Sequence, residues 1–111
     1  MTREGKKDGL LGTLDLLILR ILSTGEKHGY GIARRIEQVS SDVLSVQEGS
    51  LYPALHRLEK KSFIRSEWKP GDRGKPIKMY SLTNDGHIQL EEERTRWETI
   101  SSAINVVLHK A

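Results

Sequence analysis

The sequence predicts a mainly α fold with a small β-wing, on the basis of three observations. Apolar residues recur at three- and four-residue spacing in three stretches before residue 61, as is typical of short amphipathic helices. Two strand-like runs, residues 64–69 and 77–83, flank a loop rich in glycine and proline. The last stretch, residues 84–111, contains no proline and is predicted to form one long helix. This order predicts a winged helix-turn-helix followed by a long C-terminal helix.

The composition excludes several classes of protein. The 111 residues have room for one domain, and the lack of cysteine rules out a disulfide framework and a thiolate metal site. The four histidines show no paired spacing, so we predict no metal and no cofactor. No nucleophile–base pair, carboxylate dyad or phosphate loop is recognisable, which argues against an enzyme. The most apolar stretch, residues 10–22, is interrupted by Asp15 and Arg20 and is too short to span a membrane, so we expect a cytoplasmic protein.

The positive charge is concentrated in the middle of the chain. The net charge is +3, but residues 57–78 alone hold eight basic and three acidic side chains. Such a localised patch is the electrostatic footprint of a protein that binds a polyanion. On charge alone, an ordinary solvated surface explains the same pattern equally well.

The first two helices are short and amphipathic. Leu14, Leu17 and Ile18 mark the apolar face of the first helix, and Gly25 is a plausible stop. In the second helix, Ile32, Ile36 and Val39 share a face. The apolar residues that follow, at positions 43, 44 and 46, predict a short extended strand.

The third helix begins near residues 48–50 and has two unlike faces. Its apolar side comprises Leu51, Ala54, Leu55 and Leu58. The opposite side comprises Gly49, Pro53, His56, Arg57 and Lys60. Pro53 is expected in or beside the first turn, where its missing N–H removes no hydrogen bond. A face that is small at its start and basic further along can approach a DNA groove while its charges reach phosphates.

The wing and the C-terminal helix complete the pattern. The loop of residues 70–76 carries Arg73 and Lys75 at its tip. The long helix is capped by Thr83 or Asn84, and its apolar residues recur with a spacing typical of helix–helix association. These are Leu90, Trp97, Ile100, Ile104 and Val107, with Glu93 interrupting the repeat. We therefore expect a dimer in which this helix packs with Leu14 and Leu17 of a partner's first helix.

Together these motifs resemble the PadR family of bacterial transcriptional regulators. The resemblance runs from about Leu11 to Leu108 and rests on four pieces: Leu14-Asp15 with the apolar helix after it, HGYGI at 28–32, GSLYPALHRLE at 49–59, and YSLT at 80–83 with Gly86. With a single helix after the wing, the chain is similar to the compact branch of that family. The resemblance implies a DNA-binding domain over residues 10–83. It also implies a dimerisation helix over residues 84–111, forming one structural unit with the first helix.

The resemblance also implies a function and a set of contacts. The third helix would enter the major groove, and the wing would contact the backbone or minor groove. The implied DNA-binding residues are Tyr30, Ser50, Leu51, Tyr52, Pro53, Arg57, Lys60, Arg73, Lys75 and Lys78. Family members mostly repress transcription, and some release DNA on binding a small aromatic or drug-like molecule. A dimer of this kind would bind double-stranded DNA at a pseudo-palindromic operator.

Alternatives stay open at individual residues and for the function. The Tyr52 hydroxyl could donate to a phosphate, or its ring could cover the edge of the core. Trp97 could pack at the dimer interface, or offer a flat surface to an aromatic effector. The rival function is a winged-helix module that binds another protein through the third helix. An apolar or acidic exposed face would favour it, whereas His56 and Lys60 lie on that face here.

Overall fold

The computed structural model describes residues 13–111, and it confirms the mainly α fold with a small wing. Helix α1 covers residues 13–22 of the described chain, and residues 10–12 of the predicted DNA-binding domain lie outside the description. The elements after α1 are β1 (Lys27–His28), α2 (Gly29–Val39), α3 (Glu48–Lys60), β2 (Ile64–Pro70), a 3-10 turn (Asp72–Gly74), β3 (Pro76–Leu82) and α4 (Asn84–Lys110). Both wing strands and α4 thus lie within a residue of their predicted positions.

The three strands form one antiparallel sheet in the order β1-β3-β2. The wing strands pair along their whole length, from Ile64 opposite Leu82 to Pro70 opposite Pro76. The two-residue strand β1, which the sequence pattern did not predict, pairs with Met79 and Tyr80 of β3. The strand predicted around residues 43–46 is wrong: within the described chain, this segment forms a bend after α2.

One apolar core joins the helices to the sheet. It contains Ile18, Leu19 and Leu22 of α1, Ile32, Ala33 and Ile36 of α2, the four apolar residues of α3, Ile64, Tyr80 and Leu90. Val39 was expected on the buried face of α2 but is 62% exposed, because the helix ends there and Ser40 is its C-cap. The core therefore holds α3 against α1 and α2 and leaves the other side of α3 free.

Helix α4 starts inside the domain and then leaves it. The Thr83 side chain caps the helix by accepting a hydrogen bond from the Gly86 N–H at 3.0 Å, and its hydroxyl donates to the Phe63 carbonyl. Gly86 is buried where α4 crosses the start of β2, and a methyl group there would collide with the Phe63 carbonyl. After Leu90, no residue of α4 belongs to the buried core of the described chain.

Candidate nucleic-acid interface

Helix α3 presents a small, nearly uncharged start to solvent. Gln47 is the N-cap, and Ser50, Tyr52 and Pro53 are exposed, followed by His56 and Lys60. Pro53 was predicted in or beside the first turn and lies at the sixth helical position, in the second turn, because the helix begins at Glu48. The exposed face therefore combines short side chains at the N-terminal end with basic character near the C-terminal end.

Two residues of α3 predicted to meet DNA are directed elsewhere. Leu51 is 1% exposed and belongs to the core, so the prediction that its side chain contacts DNA is wrong. Its position one turn before Leu55 places it on the buried face. Arg57 was predicted on the exposed face, but its Nη2 donates a 2.9 Å hydrogen bond to Oδ1 of Asp15 in α1. Arg57 therefore links α3 to α1.

Burial sets the direction in which the pKa of Asp15 is shifted. Desolvation raises the pKa of Asp15, and the attraction and hydrogen bond of Arg57 only partly offset it. The pair is half-buried, with 20% of the Asp15 side chain and 33% of the Arg57 side chain exposed. A contact of this kind fixes geometry more than it stabilises the fold.

The tip of the wing is a tight turn that carries two exposed cations. The Gly71 N–H donates to the Lys75 carbonyl at 2.8 Å and closes the turn. Arg73 and Gly74 both adopt positive φ, 61° and 76°, so the chain reverses within three residues. Arg73 and Lys75 are exposed, and no ion pair holds either of them within the described chain. Their charges are available to a polyanion.

Lys78 differs from the two cations at the tip because it is held over aromatic rings. Its ammonium lies 6.0 Å from the centre of the Trp68 ring and 5.7 Å from that of Tyr80. It is also 4.0 Å from Oε1 of Glu59, whose other oxygen accepts a 2.5 Å hydrogen bond from Ser66. Lys78 thus lies between β2 and α3 at the base of the wing.

An open groove separates α3 from the wing and reaches the start of α2. Its volume is about 870 Å³, and its walls include Tyr30, Tyr52, Trp68, Lys75 and Tyr80. We call it the wing groove. Trp68 and Tyr80 were not among the residues predicted to contact DNA. Trp68 pairs with Lys78 across the two wing strands, and Tyr80 lies two residues after Lys78, so all three side chains share one face of the sheet. This spacing was the signal in the sequence that could have identified them.

Close packing at the start of α2 positions two of the groove's tyrosines. His28 is the N-cap, its Nδ1 accepting from the Gly31 N–H at 3.0 Å, and its ring stacks on that of Tyr30. The Tyr52 ring lies so close to Gly29 that a methyl group there would be 2.9 Å from the Tyr52 hydroxyl. Glycine at position 29 therefore allows the Tyr52 hydroxyl to lie at the N-terminus of α2.

Tyr80 is the most buried aromatic residue of the wing groove. It is 6% exposed, and burial followed by the charge of Glu59 raises the pKa of its phenol. The hydroxyl is therefore protonated at neutral pH and can donate a hydrogen bond. The hydroxyl makes no hydrogen bond within residues 13–111, but it is open to solvent, since Arg94 Nε is the only buried side-chain polar atom without a partner in that range.

Most of the predicted dimer surface of α4 is exposed. Trp97, Ile100, Ile104 and Val107, which we call the α4 stripe, are 46–62% exposed. Leu90, predicted to belong with them, is 3% exposed and packs in the core of its own chain, so that prediction is wrong. Leu14 and Leu17 are partly buried against the core and line an apolar groove beside residues 44–47.

Residues 13–111 contain neither a metal-binding cluster nor a membrane-spanning helix. No group of three or more histidine, aspartate or glutamate side chains there could hold a metal ion. Within the same range, no helix is both long and apolar enough to cross a membrane.

The three-helix core, the exposed face of α3 and the basic hairpin define a winged helix-turn-helix protein. Residues 18–92 match the transcriptional regulator PadR-like family, and the chain belongs to that family. This membership confirms the resemblance found in the sequence. The members of this family are transcriptional regulators and not enzymes.

Individual relatives agree with this assignment. The chain is 34% identical over 93 residues to the transcriptional regulator YqjI of Escherichia coli, covering 84% of this chain and 43% of that longer protein. A transcriptional regulator from Clostridium thermocellum has a similar structure, with a TM-score of 0.80, 31% identity and coverage of 88% of this chain and 95% of its own. Bacillus subtilis PadR in complex with operator DNA is also similar, with a TM-score of 0.66, 29% identity and coverage of 72% and 45%.

Proposed function

We propose that the protein is a homodimeric repressor that binds double-stranded DNA at a pseudo-palindromic operator. The observation that carries the proposal is the arrangement around the wing groove, where α3, the start of α2 and the basic hairpin border one open space. A helix and a hairpin so placed can enter adjacent grooves of a duplex. The similar structure of B. subtilis PadR with operator DNA supports the proposal. Such a function places the protein in the cytoplasm, where bacterial DNA lies.

Within this proposal, the start of α3 determines sequence preference. Ser50, Tyr52 and Pro53 are exposed and carry no charge, so they can approach base edges closely. Lys60 is exposed at the other end of the helix, where it can reach a phosphate. Tyr30, 62% exposed at the start of α2, would donate to the DNA backbone.

The wing supplies binding that does not depend on sequence. Arg73 and Lys75 at its tip, and Lys78 at its base, contribute positive charge along the hairpin. Because phosphate contacts release counterions, affinity falls with salt with a slope of about −0.9 per phosphate neutralised.

Dimerisation would join two such domains through α4. The α4 stripe leaves four large apolar side chains about half exposed on a helix that extends beyond its own core. Packing against a partner's α4 and α1 would remove them from water, with Leu14 and Leu17 completing the interface. A two-fold dimer presents two α3 helices, so its half-sites lie about one helical turn apart.

A small aromatic effector fits the same stripe. The Trp97 ring is 47% exposed, and in a two-fold dimer of α4 helices two such rings would lie near each other. In a Trp68→Phe background, planar cationic or phenolic compounds should quench Trp97 fluorescence. An unchanged spectrum across a varied panel of these compounds would remove the effector from the proposal and leave DNA binding intact.

The DNA-binding proposal is tested by electrophoretic retardation of the duplex upstream of the protein's own gene. We expect retardation at low salt, lost steeply as salt rises. Neutralising Arg73 or Lys75 with glutamine should weaken binding to all duplexes alike and make the salt slope shallower by about 1.8, because each of the two protomers loses one phosphate contact. The control is Lys110→Gln, which removes the same charge at the far end of α4. Absence of retardation for every duplex at low salt would refute DNA binding.

A further inference from the structure

We propose that Glu37 is a positioning residue for sequence recognition, because its carboxylate holds the backbone just before α3 and so fixes the end of that helix that meets base edges. This inference rests on the proposed DNA-binding function and deepens it. None of the DNA contacts predicted from the sequence includes Glu37, which lies in α2. It would act through α3 without touching DNA itself.

The first argument is that Glu37 bonds to both ends of the turn between α2 and α3. Its backbone carbonyl accepts a hydrogen bond from the Asp42 N–H at 2.8 Å, where the turn leaves α2. Its side-chain Oε2 accepts from the Val46 N–H at 3.1 Å, where the turn reaches α3. The Glu37 side chain is only 23% exposed, and a hydrogen bond to a charged acceptor is among the stronger kinds. One residue therefore ties the start of α3 to α2.

The second argument is that the turn has little regular structure of its own. Residues 40–47 pair with no strand of the described chain. Ser41 and Asp42 both adopt positive φ, 52° and 65°, which is uncommon for residues other than glycine. Val43 is 82% exposed, and only Val46 at the far end packs against the core. The conformation of the turn thus depends on a few side-chain contacts, and the bond from Glu37 is the one at the α3 end.

The third argument is that the position of Val46 determines where α3 begins. Val46 directly precedes Gln47, the N-cap, whose carbonyl accepts from the N–H groups of Ser50 and Leu51 at 3.0 and 2.9 Å. The Gln47 side chain makes no capping hydrogen bond, so the first turn of α3 lacks the side-chain cap that usually secures a helix start. Leu51 is held in the core, but Ser50 is exposed and depends on the backbone before it. Without the bond from Glu37, this first turn would fray.

The charge of Glu37 has a smaller part than its length. The other carboxylate oxygen, Oε1, lies 3.9 Å from Nη1 of Arg34, and the Arg34 side chain is 51% exposed. An ion pair this exposed contributes little. The positioning role therefore needs an acceptor oxygen that reaches Val46, and an uncharged side chain of the same length should supply it.

The experiment compares Glu37→Gln with Glu37→Asp in the full chain. Glutamine keeps the length and an acceptor oxygen but loses the charge, whereas aspartate keeps the charge and is one methylene shorter, so it no longer reaches Val46. Each variant selects from a library of duplexes of about three helical turns with a randomised centre, and the bound DNA is sequenced. The affinity of each is then measured for the duplex that the natural chain prefers and for a scrambled duplex of the same composition.

We expect Glu37→Asp to bind the preferred duplex about tenfold more weakly, as for the loss of a hydrogen bond to a charged acceptor. Its affinity for the scrambled duplex should be unchanged, because the phosphate contacts of the wing remain. Glu37→Gln should keep both affinities. Amide hydrogen exchange at Val46 should quicken in Glu37→Asp and not in Glu37→Gln. The matched control is Glu92→Asp, which makes the same change at an exposed position of α4 and should alter neither affinity.

The outcomes separate positioning from other roles. A merely structural role would lower the melting temperature of Glu37→Asp and weaken its binding to both duplexes together. If Glu37→Asp keeps the sequence preference, or if Glu37→Gln loses it equally, the inference is overturned and DNA binding stands. The same holds if the natural chain binds all duplexes alike, since no sequence recognition would then exist to be positioned. If no duplex binds at all, the proposed function fails together with this inference.

Discussion

Replacing Val107 by alanine should weaken the dimer, while the same replacement at the adjacent Val106 should leave it unchanged. The two valines are similarly exposed in the single chain, 62% and 53%. At about 100° per residue, Val107 lies with Ile100 and Ile104 on the α4 stripe, and Val106 faces the other way. The pair thus tests which side of α4 meets a partner.

The magnitude follows from the exposed area. Valine to alanine removes two methyl groups, about 0.8 kcal/mol each when buried. Because 62% of Val107 is exposed in the single chain, burying its two methyl groups would contribute about 1 kcal/mol per chain to the free energy of association. Both chains carry the change, so the dimer loses about 2 kcal/mol, or about thirtyfold in Kd. Alanine raises helix propensity equally at both positions, so the difference between the variants reports association.

Sedimentation equilibrium over a dilution series measures Kd for both variants, with circular-dichroism melts to confirm that each is folded. Equal dimer Kd values for the two variants would refute the reasoning, because they would show that the α4 stripe is not the side of the helix that meets a partner. A chain that stays monomeric at every concentration would refute the dimer itself.

Three further predictions concern the fold. Leu51→Ala should lower the free energy of unfolding by about 2–5 kcal/mol in a urea titration, because the Leu51 side chain is in the core. A loss no larger than that of a substitution at an exposed position would show that the side chain lies on the DNA-facing surface. Gly86→Ala should cost about 1–3 kcal/mol through collision with the Phe63 carbonyl, whereas Gly49→Ala, where a methyl group meets nothing, should change stability by less than about 1 kcal/mol. Because burial raises the pKa of Asp15, the folded state holds its proton more tightly than the unfolded state. The stability of the natural chain relative to Asp15→Asn should therefore fall as pH rises through that raised pKa, and a rise would show that the attraction of Arg57 dominates.

Local patterns in the sequence were enough to predict the wing and α4. The alternation of strands, the glycine and proline of the loop and the capping Thr83 are all signals within a few residues of the elements they define. Strand β1 has no such signal, because only its pairing with Tyr80, more than fifty residues later, makes it a strand. Residues 43–46 have the opposite outcome, since their local apolar pattern predicts a strand that does not form. The Val46 N–H donates to the Glu37 carboxylate at 3.1 Å instead of to another strand.

The candidate site was predictable where it depends on exposure and unpredictable where it depends on distant partners. Arg73 and Lys75 follow from charge and turn composition alone. Arg57 has the spacing of an exposed residue, but its partner Asp15 lies 42 residues earlier, and no local pattern signals that pair. Leu90 fits the spacing of the dimer repeat, yet α4 is still crossing its own core at that point. The spacing of apolar residues along a helix does not show which turns pack in the core of their own chain and which pack against a partner.

The bond between Arg57 and Asp15 has a mechanical consequence. It fastens α3, the helix proposed to enter DNA, to α1, the helix proposed to pack in the dimer. The shared core also holds the two helices together, so they should move as one rigid body. A rotation of a few degrees between protomers would then be carried undiminished to the outer surface of α3. In the proposed dimer, an effector would then change the distance between the two α3 helices and leave the shape of each DNA-binding domain as it is.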